Sequence, residues 1–519
     1  MNILLANPPV LLPQGGGKEL YFIKAGSRWP HTIFKTRKMF SPYLPFPFFL
    51  AYTAALLEQE NFSVQVIDSV ALNQTPADFM SAAEKTHPDL VLIETATPTI
   101  QADLITAKKL KLALKCLVIL AGPHVTVFPR QVLIQNPFID YLLLGEYEMN
   151  SLLLIKAIQR GGDLKDIPGI AYRQNTEIRV NSSSGLIEPL EKLPFPARHL
   201  FPSNDKVNPG VYFDIINQFK PALQLHSSRG CPFRCSYCLW INVMYNSARY
   251  RPFSPQYVVD EMEAVIRNYH AREIYFDDDT FSIQRDHVEG IVKEIKSRKI
   301  KVKWSCMADA ISLDEALLEK MADSGCVGIK FGVESGSPQV LRYLEKPLDL
   351  DKIRQLSRTC FKLGIRTHAS FMFGLKGETE NTIQETLHML KTVPFSSIQL
   401  SYHTPFPGTP TYYRLKKESR LGDKWEDYDG RRHLQVKDDR LQQALVDAEK
   451  NATYAFLFGV VTNPRRLIRK IIYLLRFAFR GDLVLLKYYW LKISQLMKKT
   501  IHKKSVDFAI LPLKPGKVE

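Results

Sequence analysis

Residues 227–240 read SSRGCPFRCSYCLW and place Cys231, Cys235 and Cys238, three of the chain's seven cysteines, within eight positions. This CxxxCxxC spacing puts three thiols on one short loop. Three thiolates can hold three irons of a 4Fe-4S cluster and leave the fourth iron open, whereas most such clusters take four cysteines. A three-cysteine zinc site would want a nearby histidine, and residues 234–251 contain none. A redox dithiol or coincidence is a poor explanation in a chain with so few cysteines. Cys306, Cys326 and Cys360 lie in apolar strand or helix patterns and read as buried structural thiols.

The motif directly follows LQLHSS (223–228), the first of six strand-like runs. The others are EIYFDDD (273–279), KVKWSCMA (301–308), GIKFGVES (328–335), RTHASFMFG (366–374) and SIQLSYHTP (397–405). Helical patterns such as SPQYVVDEMEAVIRNY and LDKIRQLSRTCFKLG separate them, so six successive β/α units predict a partial or full barrel. The second run ends in Asp277, Asp278 and Asp279. Carboxylates suit a cationic ligand, and helix capping would explain one or two of them but not three. Glu334 and Ser335 follow the fourth run; Gly374, Gly377 and Glu378 follow the fifth. Each glycine-rich turn alone is weak evidence, because tight turns need glycine whatever they bind.

Together the cysteine motif, with the aromatic Tyr237 before its last cysteine, and this order of strand ends resemble the radical S-adenosylmethionine superfamily. The resemblance implies a 4Fe-4S cluster on Cys231, Cys235 and Cys238, with the amino and carboxylate groups of S-adenosylmethionine on the open iron. One electron would then cleave the sulfonium to methionine and a 5′-deoxyadenosyl radical. It further implies that Asp277, Asp278 and Asp279 accept from the methionine ammonium. Glu334 and Ser335 would reach the ribose, and Gly374, Gly377 and Glu378 would pack on adenine and methionine. YHTPFPGTP (402–410) would shape the far wall of the site, and a flavodoxin or ferredoxin would supply the electron.

Upstream, NILLANPP (2–9), FSVQVIDSV (62–70), LVLIETATP (90–98), CLVILAGPH (116–124) and IDYLLLGE (139–146) alternate with amphipathic helical patterns, as a parallel α/β sheet requires. In such a sheet the carboxyl ends of the strands form the ligand crevice. Asn7, Pro8, Thr95, Gly122, His124, Gly145 and Glu146 stand at those ends. These ends, with IPGIAYR and LPFPARHLFP after them, resemble the cobalamin-binding branch of the superfamily, in which a flavodoxin-like (Rossmann-like) domain lays the corrin over its strand ends, facing the barrel. The seven residues are the cobalamin-binding candidates that this implies. The domain has no DxHxxG motif, which leaves two readings: cobalamin bound without a cobalt-ligating histidine, the favoured one, or a domain that has lost the cofactor and kept its shape; His124 is read as a strand-end residue near the corrin. Residues 11–45 form a long excursion, whose Arg28 and Trp29 either cover the corrin, face the substrate or lie on the surface.

At 519 residues the chain is too long for one core. The expected division is a cobalamin-binding domain at 1–160, a hairpin and linker at 161–220, the radical barrel at 221–420 and a basic helical extension at 421–519. The absence of a leader before MNILLANPPV and of a disulfide framework predicts a reducing cytoplasm. Residues 464–504 carry twelve Lys or Arg against Asp482 alone, most of the chain's net charge of +16. On a helical wheel Arg465, Arg469, Arg476 and Arg480 share one arc, with Leu467, Ile468, Ile471, Leu475 and Ala478 largely opposite. A cationic amphipathic helix of this kind predicts peripheral contact with the inner face of a membrane, the alternative being an apolar side packed on the barrel. No nucleic-acid-binding module accompanies the charge, so nucleic acid is disfavoured as a partner. The expected function is cobalamin-dependent methylation of an unactivated carbon of a small-molecule, lipid-like or other membrane-linked substrate. The alternatives are an oxidative cyclase of the magnesium-protoporphyrin ester type and, from another class, a non-catalytic cluster-bearing binding protein.

Overall fold

The computed structural model describes residues 1–14, 18–29, 31–34, 43–182, 185–202, 211–422, 424–430 and 439–478. β1 (Asn2–Asn7) is followed by β2 (Leu11–Gln14), β3 (Lys18–Ile23) and β4 (His31–Phe34), which pair antiparallel as a small separate sheet. The main sheet resumes with β5 (Ser63–Asp68), β6 (Leu90–Glu94), β7 (Leu117–Ala121) and β8 (Tyr141–Leu143). These strands lie parallel in the spatial order β5-β1-β6-β7-β8. That is the flavodoxin-type order, whose ligand crevice opens where the winding reverses, here between β1 and β6. The hairpin β9 (Ile170–Gln174) and β10 (Glu177–Val180) extends the β8 edge antiparallel.

β1 is apolar on both faces because both are covered. Ile3 and Leu5 join the core under helices Phe48–Gln59 and Glu148–Arg160, while Leu4 and Ala6 join the core under Pro76–Thr86 and Ile100–Leu114. Ten of the twelve residues of Phe48–Gln59 are buried, since this helix is sandwiched between its own sheet and the second domain. Phe48 stacks on His226 at 3.7 Å between ring centroids, and Gln224 brackets the preceding turn, accepting from Phe46 N (2.7 Å) and donating to Leu44 O (3.0 Å).

The second domain comprises β11 (Ala222–Leu225), the short pair β12 (Ser228–Arg229) and β13 (Arg251–Pro252), then β14 (Glu273–Phe276), β15 (Lys303–Ala308), β16 (Cys326–Glu334), β17 (Arg366–Phe373) and β18 (Ser397–Tyr402). Six strands run parallel in the order β11-β14-β15-β16-β17-β18, an open barrel of β/α units. Side-chain caps from Ser254, Asp314, Asp349 and Thr379 start four of its helices, each satisfying an amide that has no partner within its own helix. Cys306, Cys326 and Cys360 are buried in its core.

Two helices follow, Asp439–Val461 and Pro464–Ala478. The orientation of the second reverses the packing alternative. Arg466 is buried against the barrel and Arg469 and Lys470 bond to it, while Ile468, Ile471 and Leu475 are exposed among the described residues. Arg480 and the third helical pattern, residues 481–499, lie outside the described residues. None of the described helices is long and apolar enough to cross a membrane.

Candidate active site

The cysteine loop is closed at its base by β12 and β13. Gly230 sits at φ +85°, and a Cβ there would fall 2.0 Å from Arg249 O, so only glycine lets the loop leave β12. Asp278 receives Ser227 N (2.8 Å), Ser227 Oγ and Ser228 Oγ (2.7 Å), and Asp279 Oδ2 receives Gly230 N (2.8 Å). The far side is fixed by Asn242, which donates to Cys238 O (2.7 Å) and Cys235 O (3.2 Å) from a π-helical turn over Trp240–Met244. The β14 carboxylates and this turn thus hold a loop whose cysteines remain only partly buried.

Burial pushes all three thiols above the ordinary range, Cys238 to about 12. Burial of this kind favours the protonated thiol, and a metal centre bound there would displace the proton. Among the described residues no three His, Cys, Asp or Glu side chains gather around a point where one ion could sit. Three thiols on one short loop can each serve a separate iron of a 4Fe-4S cluster.

The three aspartates have different surroundings. Asp277 is held by Arg28, whose guanidinium bonds both its carboxylate and its carbonyl (2.6 Å). Asp278 is wholly engaged by the loop base. Asp279 retains a buried Oδ1 with no hydrogen-bond partner, the Arg28 Nε lying 3.8 Å away. It is the aspartate with an oxygen to offer a cationic ligand beside the cysteines. Glu334 stands at φ +66° where the β16 register shifts, a conformation a glutamate adopts only when its surroundings hold it. Tyr237 Oη (3.1 Å) and Lys346 Nζ (2.7 Å) both donate to its Oε1. Ser335 is buried and packs its hydroxyl on Thr386 (3.3 Å). Glu378 turns back to accept from Gly374 N (2.6 Å) and Leu375 N (3.1 Å), so its carboxylate shapes the turn instead of facing the cysteines. Gly374 itself requires its φ of +82°.

At the crevice of the first sheet, Asn7 donates to Asp68 Oδ1 (2.8 Å) and keeps a buried Oδ1 without a partner beside the buried Pro8. Thr95 N and Oγ1 both donate to Ala121 O (2.8 and 2.9 Å), and a Cβ on Gly122 would fall 2.2 Å from Thr95 O, so β6 and β7 end in a close backbone approach. His124 is buried between Phe128 and Trp425, its Nδ1 3.3 Å from Thr97 Oγ1, and burial lowers it to about 4, leaving a neutral imidazole. Gly145 donates to Thr126 Oγ1 (3.1 Å) and lies against Met244 O of the cysteine-loop turn.

Glu146 departs from its expected place. It is buried and receives Arg251 through both oxygens (2.8 Å each), Arg229 Nη1 (3.2 Å) and Ile187 N (2.9 Å). Burial alone would raise its carboxyl, but the two guanidiniums hold it below the usual range. Glu148 takes the other arm of Arg229 at 2.6 Å. Glu146 is therefore an ionic tie between the domains and has no oxygen left over for a corrin. Its neighbour Arg229, adjacent to the cysteine motif, was legible as a cation but not as part of this tie. Lys346 carried no sequence signal at all.

Residues 41–152 match the B12 binding domain, and residues 225–390 match the radical SAM superfamily. The chain joins a B12 binding domain to a radical SAM domain. Its cofactors are accordingly a 4Fe-4S cluster, S-adenosylmethionine and cobalamin. An uncharacterized methyltransferase of Pyrococcus horikoshii is 29% identical over 385 residues, covering 74% of this chain and 81% of that protein. The anaerobic magnesium-protoporphyrin IX monomethyl ester cyclase of Cereibacter sphaeroides is 26% identical over 437 residues, 82% of this chain and 67% of the cyclase. The radical S-adenosylmethionine methyltransferase TsrM of Kitasatospora setae, solved with cobalamin and a [4Fe-4S] cluster, shares the fold with a TM-score of 0.65 at 17% identity, covering 88% of this chain and 89% of TsrM. Sequence and fold together indicate an enzyme that resembles radical S-adenosylmethionine methyltransferases.

Proposed function

We propose that the enzyme transfers a methyl group to an unactivated carbon of a lipid-like substrate held between its two domains. The observation that carries this reading is the apposition of the two sets of strand ends. Met244 O lies 3.0 Å from where a Cβ on Gly145 would sit, and Val243 and Val127, one from each domain, both crowd Gly408. Around that seam Trp29 meets Phe406 edge-on at 5.0 Å and Trp425 meets Phe128 at 5.8 Å. An aromatic wall suits an apolar substrate and excludes water from reactive species.

With the cofactors bound, the cluster and S-adenosylmethionine supply a radical that removes hydrogen, and cobalamin supplies the methyl group. In this reading Cys231, Cys235 and Cys238 hold the cluster, and Asp279 Oδ1 accepts from the methionine ammonium while Oδ2 steadies Gly230. Lys346 and Tyr237 orient Glu334 toward the ribose, and Glu378 sets the backbone turn that packs on the adenine. Gly122 and Asn7 would line the corrin crevice, with His124 held between Phe128 and Trp425 near the same strand ends. A flavodoxin or ferredoxin would deliver the electron.

The test uses S-adenosylmethionine labelled with deuterium in its methyl group, given to the reduced, cofactor-loaded enzyme with a lipid extract from cells lacking it. The expected result is 5′-deoxyadenosine together with a lipid that carries the labelled methyl. The cyclase relative favours a second reading, oxidative ring closure, which would release 5′-deoxyadenosine and a product with fewer hydrogens and no label. Absence of 5′-deoxyadenosine with every extract would overturn both.

A further inference from the structure

The barrel has a second built site on the face opposite the cysteine loop. Arg366 opens β17, Ser396 immediately precedes β18, and helix Pro464–Ala478 crosses these strand starts. Between them lies a cavity of about 280 Å³ whose described lining includes Arg366, Arg466, Arg469, Lys470, Ser396 and Tyr473 and no Asp or Glu.

Arg366 and Arg466 are fixed in place and incompletely satisfied. Arg466 is 6% exposed and Arg366 9% exposed. Each uses Nη1 on a backbone carbonyl, Lys391 O (3.0 Å) and Ile216 O (2.9 Å) respectively. Arg466 Nε and Nη2 and Arg366 Nη2 are buried and have no acceptor. Arg366 stacks over Tyr473 at 3.6 Å and Arg469 over Phe361 at 3.8 Å, which holds both guanidinium planes. Lys470 Nζ donates to Ser396 O (3.0 Å), and burial together with Arg366 and Arg466 brings the ammonium down to about 7. Gly459 makes room for this arrangement, since a Cβ there would fall 2.1 Å from Lys391 O and 2.7 Å from Arg466 Nη1.

Buried guanidiniums such as Arg366 and Arg466, with open donors and no opposing carboxylate among the described residues, are strongly unfavourable unless a ligand supplies the charge and the acceptors. Guanidinium forks match phosphate oxygens, each of which accepts several N–H bonds. We infer that this cavity binds a phosphate group, at a site separate from the reaction centre and independent of the identity of the methyl acceptor. Ile468, Ile471, Ile472 and Leu475 project from the same helix and are exposed among the described residues. The phosphate therefore has two candidate sources, the headgroup of an anionic phospholipid and a free phosphate compound.

The full-length, cofactor-loaded protein would be tested by thermal melting with inorganic phosphate and with pyrophosphate. Sedimentation would use vesicles of phosphatidylcholine alone and of phosphatidylcholine with phosphatidylglycerol. Wild type and Arg366→Gln/Arg466→Gln are compared, with exposed Arg465→Gln as the control. Stabilisation by either free anion, lost in the double variant, identifies a free compound. Binding to phosphatidylglycerol vesicles alone, weakened roughly tenfold or more in the double variant and unchanged in the control, identifies a headgroup. Removing these two arginines, which face no carboxylate among the described residues, should also raise the melting temperature of the double variant in phosphate-free buffer, which a merely structural role would not do. The inference is overturned if neither anion nor vesicle binds, or if the double variant, folded by circular dichroism, binds as wild type does, or if the control weakens vesicle binding equally.

Discussion

Asp279→Asn separates the roles of three adjacent carboxylates. In the wild type Oδ2 accepts from Gly230 N at 2.8 Å, while Oδ1 is buried without a hydrogen-bond partner. Asparagine keeps the shape and can still accept from Gly230, but it turns its amide donors toward the position assigned to the methionine ammonium. The loss is one charge-assisted hydrogen bond, about 1.5–3 kcal/mol, or roughly a 10- to 150-fold weaker dissociation constant for S-adenosylmethionine. Asp277→Asn removes the partner of Arg28 and should change that affinity far less. Asp278→Asn loosens the hold on Ser227 and Ser228 and should appear first as poorer retention of the cluster. Affinity would be read anaerobically from the change that S-adenosylmethionine makes in the paramagnetic resonance of the reduced cluster, with iron and sulfide assayed in parallel. A fully loaded Asp279→Asn protein binding as wild type does, or Asp277→Asn proving the weaker binder, would refute the assignment.

Glu146→Gln leaves Arg229 with Glu148 alone and Arg251 with no carboxylate partner among the described residues, and breaking a buried ion pair in this way should destabilise by about 3–5 kcal/mol. A lowered urea midpoint with faster proteolysis between the domains would show it, whereas Glu60→Gln at the exposed Lys156 pair should shift stability by under about 1 kcal/mol. Burial raises the Glu378 carboxyl to about 7, against about 4.3 for a free glutamate. Between those values the folded chain binds more protons than the unfolded one, so this group's contribution to stability falls as pH rises through the window. Glu378→Gln keeps an acceptor for the Gly374 and Leu375 amides and cannot titrate. Relative to the variant, wild type should therefore lose up to about 3.5 kcal/mol between about pH 4.5 and 8 in urea titrations, and parallel curves would contradict the shift.

The strands of both sheets were legible because each is a short apolar run ended by Asp, Gly or Pro, and the cysteine loop because its chemistry is local in sequence. The small sheet β2–β3–β4 was not, since two of its strands are only four residues long and lie among Gly15, Gly16, Gly17 and Pro30. Glu146 stands at a strand end, as a ligand residue would, and only its approach to Arg229 and Arg251, 83 and 105 positions away, turns it into an interdomain tie. The aspartates form one run in sequence, yet three different sets of neighbours give them three different environments. For helix Pro464–Ala478 the periodicity correctly separated many polar from apolar positions. It could not say which side meets the barrel, because that depends on the backbone carbonyls at Lys391 and Ser396.

Arg28 reaches Asp277 across 249 positions of sequence. During synthesis this arginine leaves the ribosome long before the strand that will receive it, so the acidic strip of the barrel is completed only after both domains have been made and docked. A barrel expressed by itself would hold Asp277 without Arg28 and with Lys330 as its nearby cation, and a swap of corrin domains between relatives would have to carry the small antiparallel sheet along with it. The two halves are modular in their folds but must be inherited, and assembled with their cofactors, as one piece.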